Sequence, residues 1–301
     1  MSAFDEPGPV GFIGLGEMGR PMVGHLLAAG LPVYICDPDP AAVAAAVAAG
    51  AIALARAVEV ADAAETVMVC VPTPEIVEKV CVGPAGLVEG GRVRRIVDHS
   101  TTGPAMARVV SAALAERGIA YLDAPLAGST PAAKAGTLTI MAAGDGEEFE
   151  AVRAILDVYG ETVSLIGVEV GQGHLLKLIN NMILCATLVA STEALAVGMR
   201  AGISADTMLA TLNRGTARSF ASQALLQDRV ASGNPQIGFR LELMRKDLRL
   251  LLEQAAERGI TMPVSASVKA TFDRGQTALG LDADVLAIAP FIVAEAGAPF
   301  E

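Results

Sequence analysis

The stretch Val10-Gly11-Phe12-Ile13-Gly14-Leu15-Gly16-Glu17-Met18-Gly19 decides how the first half of this chain is read. Apolar residues from Val10 to Gly14 read as a short strand, and Met18 to Ala29 reads as a helix. Between them the glycines fall as G-x-G-x-x-G. That pattern alone is weak, but between a strand and a helix it has a physical purpose. Gly14 permits a tight turn, Gly16 leaves the backbone open to a pyrophosphate, and Gly19 lets the helix pack on the strand. Free N–H groups at the helix start then face the phosphates. The turn residues Gly14, Leu15, Gly16, Glu17, Met18 and Gly19 are therefore expected to bind a dinucleotide.

An acidic residue should close a second strand in such a unit, and Asp37 follows Val33–Cys36. Its carboxylate would accept hydrogen bonds from ribose hydroxyls and repel a 2′-phosphate. Pro38 comes next, and no arginine stands there to hold that phosphate. The expectation is NAD rather than NADP.

Strands and helices alternate onward from there. Ala51–Ala53, Thr66–Val71, Arg95–Asp98, Ile119–Leu122, Leu138–Met141 and Ser164–Ile166 read as strands. Helices are expected at Ala41–Ala49 and Pro104–Arg117. Short apolar runs joined through helices imply a mainly parallel, doubly wound α/β sheet of the Rossmann type. After Gly167 the texture changes. Helical periodicity takes over at about 171–200, 205–213, 219–230, 241–258 and 262–276, broken at Gly202, Gly215, Gly233 and Gly259. Two domains are expected: a dinucleotide-binding domain at 9–167, and an all-helical domain at 168–301 entered by one long helix. Polar loops after two of the strands, Val71-Pro72-Thr73-Pro74 and Asp98-His99-Ser100-Thr101, lie where such sheets bind ligands. His99 is read there as a structural histidine rather than an acid–base.

Composition narrows the function. The 301 residues carry a formal charge of −11 without a basic run, which argues against a nucleic-acid surface. The four cysteines are widely spaced and the three histidines pair with no cysteine or carboxylate at ligand spacing, so no metal site is expected. The cysteines are expected to be reduced and buried. Met1–Pro9 has neither a basic nor an apolar region of a signal peptide. Leu175–Met199 is apolar but interrupted by Lys177, Asn180, Asn181 and Glu193, so it reads as a core helix rather than a membrane span. A cytoplasmic location follows as an expectation.

The long helix opens Gly171-Gln172-Gly173-His174-Leu175-Leu176-Lys177-Leu178-Ile179-Asn180-Asn181. Lys177 and Asn181 stand four apart and share a helix face. An amine and an amide on an otherwise apolar helix are either a snorkelling pair or a working one. At this point the chain resembles the β-hydroxyacid dehydrogenase family, also called the 3-hydroxyisobutyrate dehydrogenase family. Four blocks carry the resemblance: Gly11–Gly19; Asp123–Ser129 continuing to Gly136–Met141; Gly171–Asn181; and Phe239–Leu243 followed by Lys246-Asp247-Leu248.

The resemblance implies that Lys177 is the catalytic lysine and that Asn181 orients the substrate. It further implies that Val71, Pro72, Thr101 and Lys246 contact the cofactor. A positioned amine can take the hydroxyl proton during hydride transfer, or return it in reduction. Burial and the positive nicotinamide ring favour the neutral amine that this requires. Ala127, Gly128 and Ser129 fall in the family's substrate-binding block, which reads Asp-Ala-Pro-Val-Ser-Gly-Gly. Here the serine is replaced by Ala127 and the second glycine by Ser129; backbone N–H groups can still hold the anion, with Ser129 or Thr130 as the source of a displaced hydroxyl. The implied activity is an NAD-dependent interconversion of a small 3-hydroxy acid and its semialdehyde, in a homodimer or homotetramer. Lys177 argues against two alternatives, an imine reductase of the same architecture and a non-catalytic NAD(P)-binding module. Both usually lack that lysine.

Overall fold

The structure is a computed structural model, and it describes residues 8–233 and 236–298. The chain divides into two compact units, 1–177 and 178–301. In the first, elements follow as β1 (Val10–Ile13), α1 (Gly19–Ala28), β2 (Val33–Cys36), α2 (Pro40–Ala48), β3 (Ile52–Ala53), α3 (Ala57–Ala63), β4 (Thr66–Val69) and α4 (Pro74–Val82). They continue as β5 (Arg95–Asp98), α5 (Pro104–Ala115), β6 (Ala120–Asp123), β7 (Leu126–Ala127), α6 (Ser129–Ala135), β8 (Leu138–Ala143), α7 (Gly146–Leu156) and β9 (Gly160–Gly167).

All the strands join one sheet, ordered β3-β2-β1-β4-β5-β6-β8-β7, with β9 paired to β8. The pairs from β3 to β6 are parallel. β8 runs antiparallel to β6 and β7 but parallel to β9. Side chains alternate between the two faces, as a pleated strand requires. Val10 and Phe12 of β1, Met68 of β4, Val97 of β5 and Leu122 of β6 enter one core layer. Ile13, Val67, Val69, Ile96 and Tyr121 enter the other. Both faces are covered, which explains why these strands read as unbroken apolar runs.

The strands are trimmed relative to expectation: β1 stops at Ile13 and β4 at Val69, while β9 extends over Gly160–Gly167. The helices α3, α4, α6 and α7 and the strand β7 are not anticipated from sequence. Two of these helices do carry start signals. The Thr73 hydroxyl accepts the Ile76 N–H at 3.4 Å ahead of Pro74, and Asp145 accepts the Glu147 and Glu148 N–H groups at 2.8 and 3.1 Å. Of the cysteines, all free, Cys81 and Cys185 are buried but Cys36 and Cys70 are partly exposed. The departure from expectation has a simple cause, since both stand where the sheet opens at the ends of β2 and β4.

A 29-residue helix, α8 (Gln172–Arg200), begins in the first unit and continues into the second. It is long and apolar enough to cross a membrane, yet 44% of its most apolar window is buried inside the protein. The second unit continues with α9 (Ala205–Leu212), a π-helix at Ala221–Val230, α10 (Leu241–Glu257), α11 (Pro263–Leu279) and α12 (Ile288–Glu295). Leu241, Met244, Leu248, Leu251 and Ala255 form the buried stripe of α10, at the spacing of one helix face. Asp273 of α11 pairs with Arg245 of α10 and with Lys269. Asp284 accepts the N–H groups of Ile237, Gly238 and Phe239 at 3.1, 2.9 and 3.2 Å, which fixes the approach to α10.

Candidate functional site

Strand order reverses between β1 and β4, so the crevice outside the carboxyl ends of β1, β2, β4 and β5 is the natural ligand site. The glycine turn closes its floor. Gly14 adopts φ +100°, and a Cβ there would collide with the Cys70 carbonyl. A Cβ on Gly19 would collide with the Gly14 carbonyl. Gly16, in contrast, is exposed and has open space around it, as a backbone that must receive a phosphate needs. Leu15 is buried, Glu17 is exposed and Met18 is partly buried.

Asp37 joins this turn directly. Its Oδ2 accepts the Leu15 N–H at 2.6 Å and its Oδ1 accepts the Asp39 N–H at 2.7 Å. Each oxygen keeps a further lone pair. The carboxylate therefore orients the turn and still has capacity for a ligand hydroxyl. The loops after β4 and β5 are also tied together, because the Ser100 hydroxyl accepts the Val71 N–H at 3.0 Å. Val71 and Thr101 are partly buried, and Pro72 is exposed. Together these groups border the crevice at the carboxyl ends of β1, β2, β4 and β5.

Ala127, Gly128 and Ser129 form the turn from β7 into α6. Gly128 has φ +134° and Ser129 has φ +55°. A left-handed conformation costs a non-glycine residue roughly 1–2 kcal/mol. Ser129 thus holds the backbone shape that a glycine adopts freely, although its side chain differs.

Lys177 is partly buried on α8, and Asn181, 2% exposed, follows one turn later. In the second unit, Asn181 Nδ2 donates to Asp247 Oδ2 at 2.7 Å, while Lys246 Nζ lies 3.2 Å from Asp247 Oδ1. Asn180 Nδ2 donates to Asn181 Oδ1 at 3.1 Å. Asp247 therefore holds the amide of Asn181 in one orientation and brings Lys246 beside it. Sequence reasoning gave Asp247 no role. Its signal was present, because a carboxylate sits inside the apolar stripe Met244–Leu248–Leu251 of α10.

His99 belongs to the core rather than the crevice. It is 3% exposed, with Nδ1 2.7 Å from the Ala124 carbonyl and Nε2 2.9 Å from the Tyr159 hydroxyl. Burial pushes its pKa down from 6.5 to about 4, the largest of the influences on it.

Two family models match in succession. Residues 9–167 match the NAD binding domain of 6-phosphogluconate dehydrogenase, and residues 171–292 match the NAD-binding domain of NADP-dependent 3-hydroxyisobutyrate dehydrogenase. The chain is 37% identical over 273 residues to a 2-(hydroxymethyl)glutarate dehydrogenase of Eubacterium barkeri, covering 90% of each chain. It is 33% identical over 256 residues to the mitochondrial 3-hydroxyisobutyrate dehydrogenase of Homo sapiens, covering 82% of this chain and 75% of that one. Among solved structures, a Mycobacterium tuberculosis 3-hydroxyisobutyrate dehydrogenase with L-serine superposes with a TM-score of 0.84 at 28% identity. That match covers 95% of this chain and 99% of the other.

The buried neutral His99 sets a pH dependence of stability. Above about pH 6.5 neither the folded nor the unfolded state protonates it. Between about 6.5 and 4 only the unfolded state takes the proton, so stability falls, and below about 4 the loss is constant. The loss amounts to at most about 3 kcal/mol. Urea unfolding at pH 7.5 and 4.5 should show a smaller drop for His99→Gln than for wild type. Equal drops would mean that His99 titrates normally in the fold.

Proposed function

Since the chain belongs to the β-hydroxyacid (3-hydroxyisobutyrate) dehydrogenase family, we propose that it interconverts a small 3-hydroxy acid and its semialdehyde, with Lys177 as acid–base. A single observation carries this reading: one face of α8 presents Lys177 and, a turn later, an Asn181 amide locked by Asp247. A bound nicotinamide supplies a hydride acceptor at the carbinol carbon. The residues of the chain handle the proton. As the C–O bond becomes a carbonyl, Lys177 Nζ takes the hydroxyl proton, and in reduction it returns it. Asn181 orients the reacting oxygen. The backbone N–H groups of the Ala127–Gly128–Ser129 turn hold the carboxylate, with the Ser129 or Thr130 hydroxyl standing in for the serine that Ala127 replaces.

The relatives named above act on, or are seen with, 2-(hydroxymethyl)glutarate, 3-hydroxyisobutyrate and L-serine. These share a CH2OH group on the carbon that bears a carboxylate. We take that unit as the constant part of this chain's substrate too, with a variable third substituent. Lys246, joined to Asp247, contributes positive charge beside the cofactor, and Val71, Pro72 and Thr101 border the nicotinamide end. We take the cofactor to be NAD rather than NADP: the Asp37 carboxylate, next to the glycine turn, would accept ribose hydroxyls and repel a 2′-phosphate. The protein works in the cytoplasm as a homo-oligomer, dimer or tetramer. Support for association comes from Ile179, Ile183 and Val197, 38%, 60% and 72% exposed on α8.

Three measurements test these statements. Lys177→Ala should lower kcat on 3-hydroxyisobutyrate or 2-(hydroxymethyl)glutarate by at least about 100-fold, with NADH affinity, read by fluorescence titration, nearly unchanged. Near-normal turnover in that variant removes Lys177 from the chemistry. Wild type should favour NAD over NADP in kcat/KM by about 10-fold or more, as roughly 1.4 kcal/mol of charge repulsion implies. Asp37→Ser should shrink that ratio, and an NADP preference in wild type overturns the role of Asp37. Light scattering should give a mass of two or four chains, whereas a single-chain mass excludes the association.

A further inference from the structure

Two carboxylates are sealed inside the first unit at the ends of adjacent parallel strands. Asp98 ends β5, Asp123 ends β6, and the two are register partners; neither has any exposed surface. Buried charges persist only when they are fully compensated. Asp123 finds its compensation at the start of α8. Its Oδ1 accepts the Gly171 N–H at 2.7 Å, and its Oδ2 accepts the His174 N–H at 2.8 Å. These are N–H groups that a helix start leaves without partners of its own. Burial raises the Asp123 carboxyl above its ordinary value, and His174 and the two N–H groups oppose that rise.

Asp98 forms the other half. Its Oδ1 accepts the Ser100 N–H at 2.9 Å and its Oδ2 accepts the Tyr121 hydroxyl at 2.7 Å. The same Oδ2 lies 3.5 Å from Nε2 of the fully buried His174. Burial acts to raise the Asp98 carboxyl, yet His174, Tyr121 and Ser100 outweigh it and hold the group below the ordinary carboxylate value. Ser100 in turn accepts the Val71 N–H. One continuous network thus runs from the loops after β4 and β5, through Asp98 and His174, to Asp123 and the first turn of α8.

The helix start also has no slack on the sheet side. A Cβ on Gly173 would collide with the Met141 carbonyl and come within 2.9 Å of Asp123 Oδ2. One on Gly171, at φ +100°, would come within 2.8 Å of Pro104 Cα. Contact blocks movement of the helix toward the sheet, and Asp123 blocks movement away from it. Lys177 follows His174 by three residues, within one helical turn.

We propose that Asp123 is a positioning residue for Lys177: its carboxylate anchors the start of α8, and His174 ties that anchor through Asp98 to the loops that border the cofactor. This rests on the reading of Lys177 as the acid–base. Asp123 never meets the substrate. It acts by fixing where the lysine amine stands, and misplacement by about 1 Å costs on the order of 100-fold in rate.

Asp123→Asn keeps the size of the side chain but puts an amide donor opposite one N–H. Its kcat, per folded enzyme, should fall about 10- to 100-fold. KM for 3-hydroxyisobutyrate or 2-(hydroxymethyl)glutarate, whichever wild type turns over faster, and Kd for NADH should stay within about twofold of wild type. The solvent deuterium isotope effect on kcat should rise, because proton transfer becomes slower. A merely structural carboxylate would lower Tm and the folded fraction without raising that isotope effect. His174→Gln, which keeps the backbone N–H to Asp123 but removes the imidazole, should give the same pattern more weakly; it decides the matter alone if the first variant does not fold. Unchanged kcat and isotope effect per folded enzyme overturn the positioning role. Lys177→Ala separates the two levels. If that variant is inactive while Asp123→Asn and His174→Gln are normal, only the positioning role fails. If it is active, the acid–base reading fails first.

Discussion

The first unit depends on how closely three backbones approach at one point. Gly14 sits against the Cys70 carbonyl, and Gly19 sits against the Gly14 carbonyl. Only residues without a Cβ allow β1, the start of α1 and the end of β4 to converge there. That convergence places the N–H groups of the turn at the mouth of the crevice and leaves Gly16 open above it. Asp37 then clamps the turn through the Leu15 N–H. The same carboxylate that selects against a 2′-phosphate in our reading is thus part of the scaffold, which links cofactor preference to local stability.

Much of this was legible in the sequence, for a physical reason. Strands buried on both faces must be apolar throughout, so β1, β2, β4, β5 and β6 are visible as runs such as Thr66–Val69. The glycine turn is visible because steric exclusion leaves no substitute for Gly14 or Gly19. The short helices α3 and α6 were not visible, since seven-residue segments show barely two turns of periodicity. The start signal at Thr73-Pro74 lay inside a stretch read as a loop, and the one at Asp145 lay in a stretch assigned no element. Asp98 reads as the end of a strand before a polar loop, and Asp123 as the first residue of the block Asp123–Ser129. Their partnership with His174 spans 76 and 51 positions, and nothing local announces it.

Candidate-site residues divide along the same line. Lys177 and Asn181 stand out because polar groups on an apolar helix need an explanation. Asp247 was passed over because it follows Lys246 on a helix rich in charges, although its place in the apolar stripe set it apart, and it is only 2% exposed. Ser129 shows the opposite case. Its identity departs from the family's glycine, yet its φ of +55° retains the glycine's backbone geometry. Here the fold imposes the shape, and the residue tolerates it at an energetic cost.

The division between the two compact units falls inside α8, immediately after Lys177. Lys177 therefore closes the first unit, and Asn181 lies in the second, but four residues of continuous helix join them. That interval is a covalent ruler of roughly 6 Å. Along the helix, the Cα spacing of the two residues is set by helical geometry, and their side-chain rotamers set where the amine and the amide reach. An exchange of one unit for another at that division would cut the helix between the two residues, so the pair would then depend on both parents.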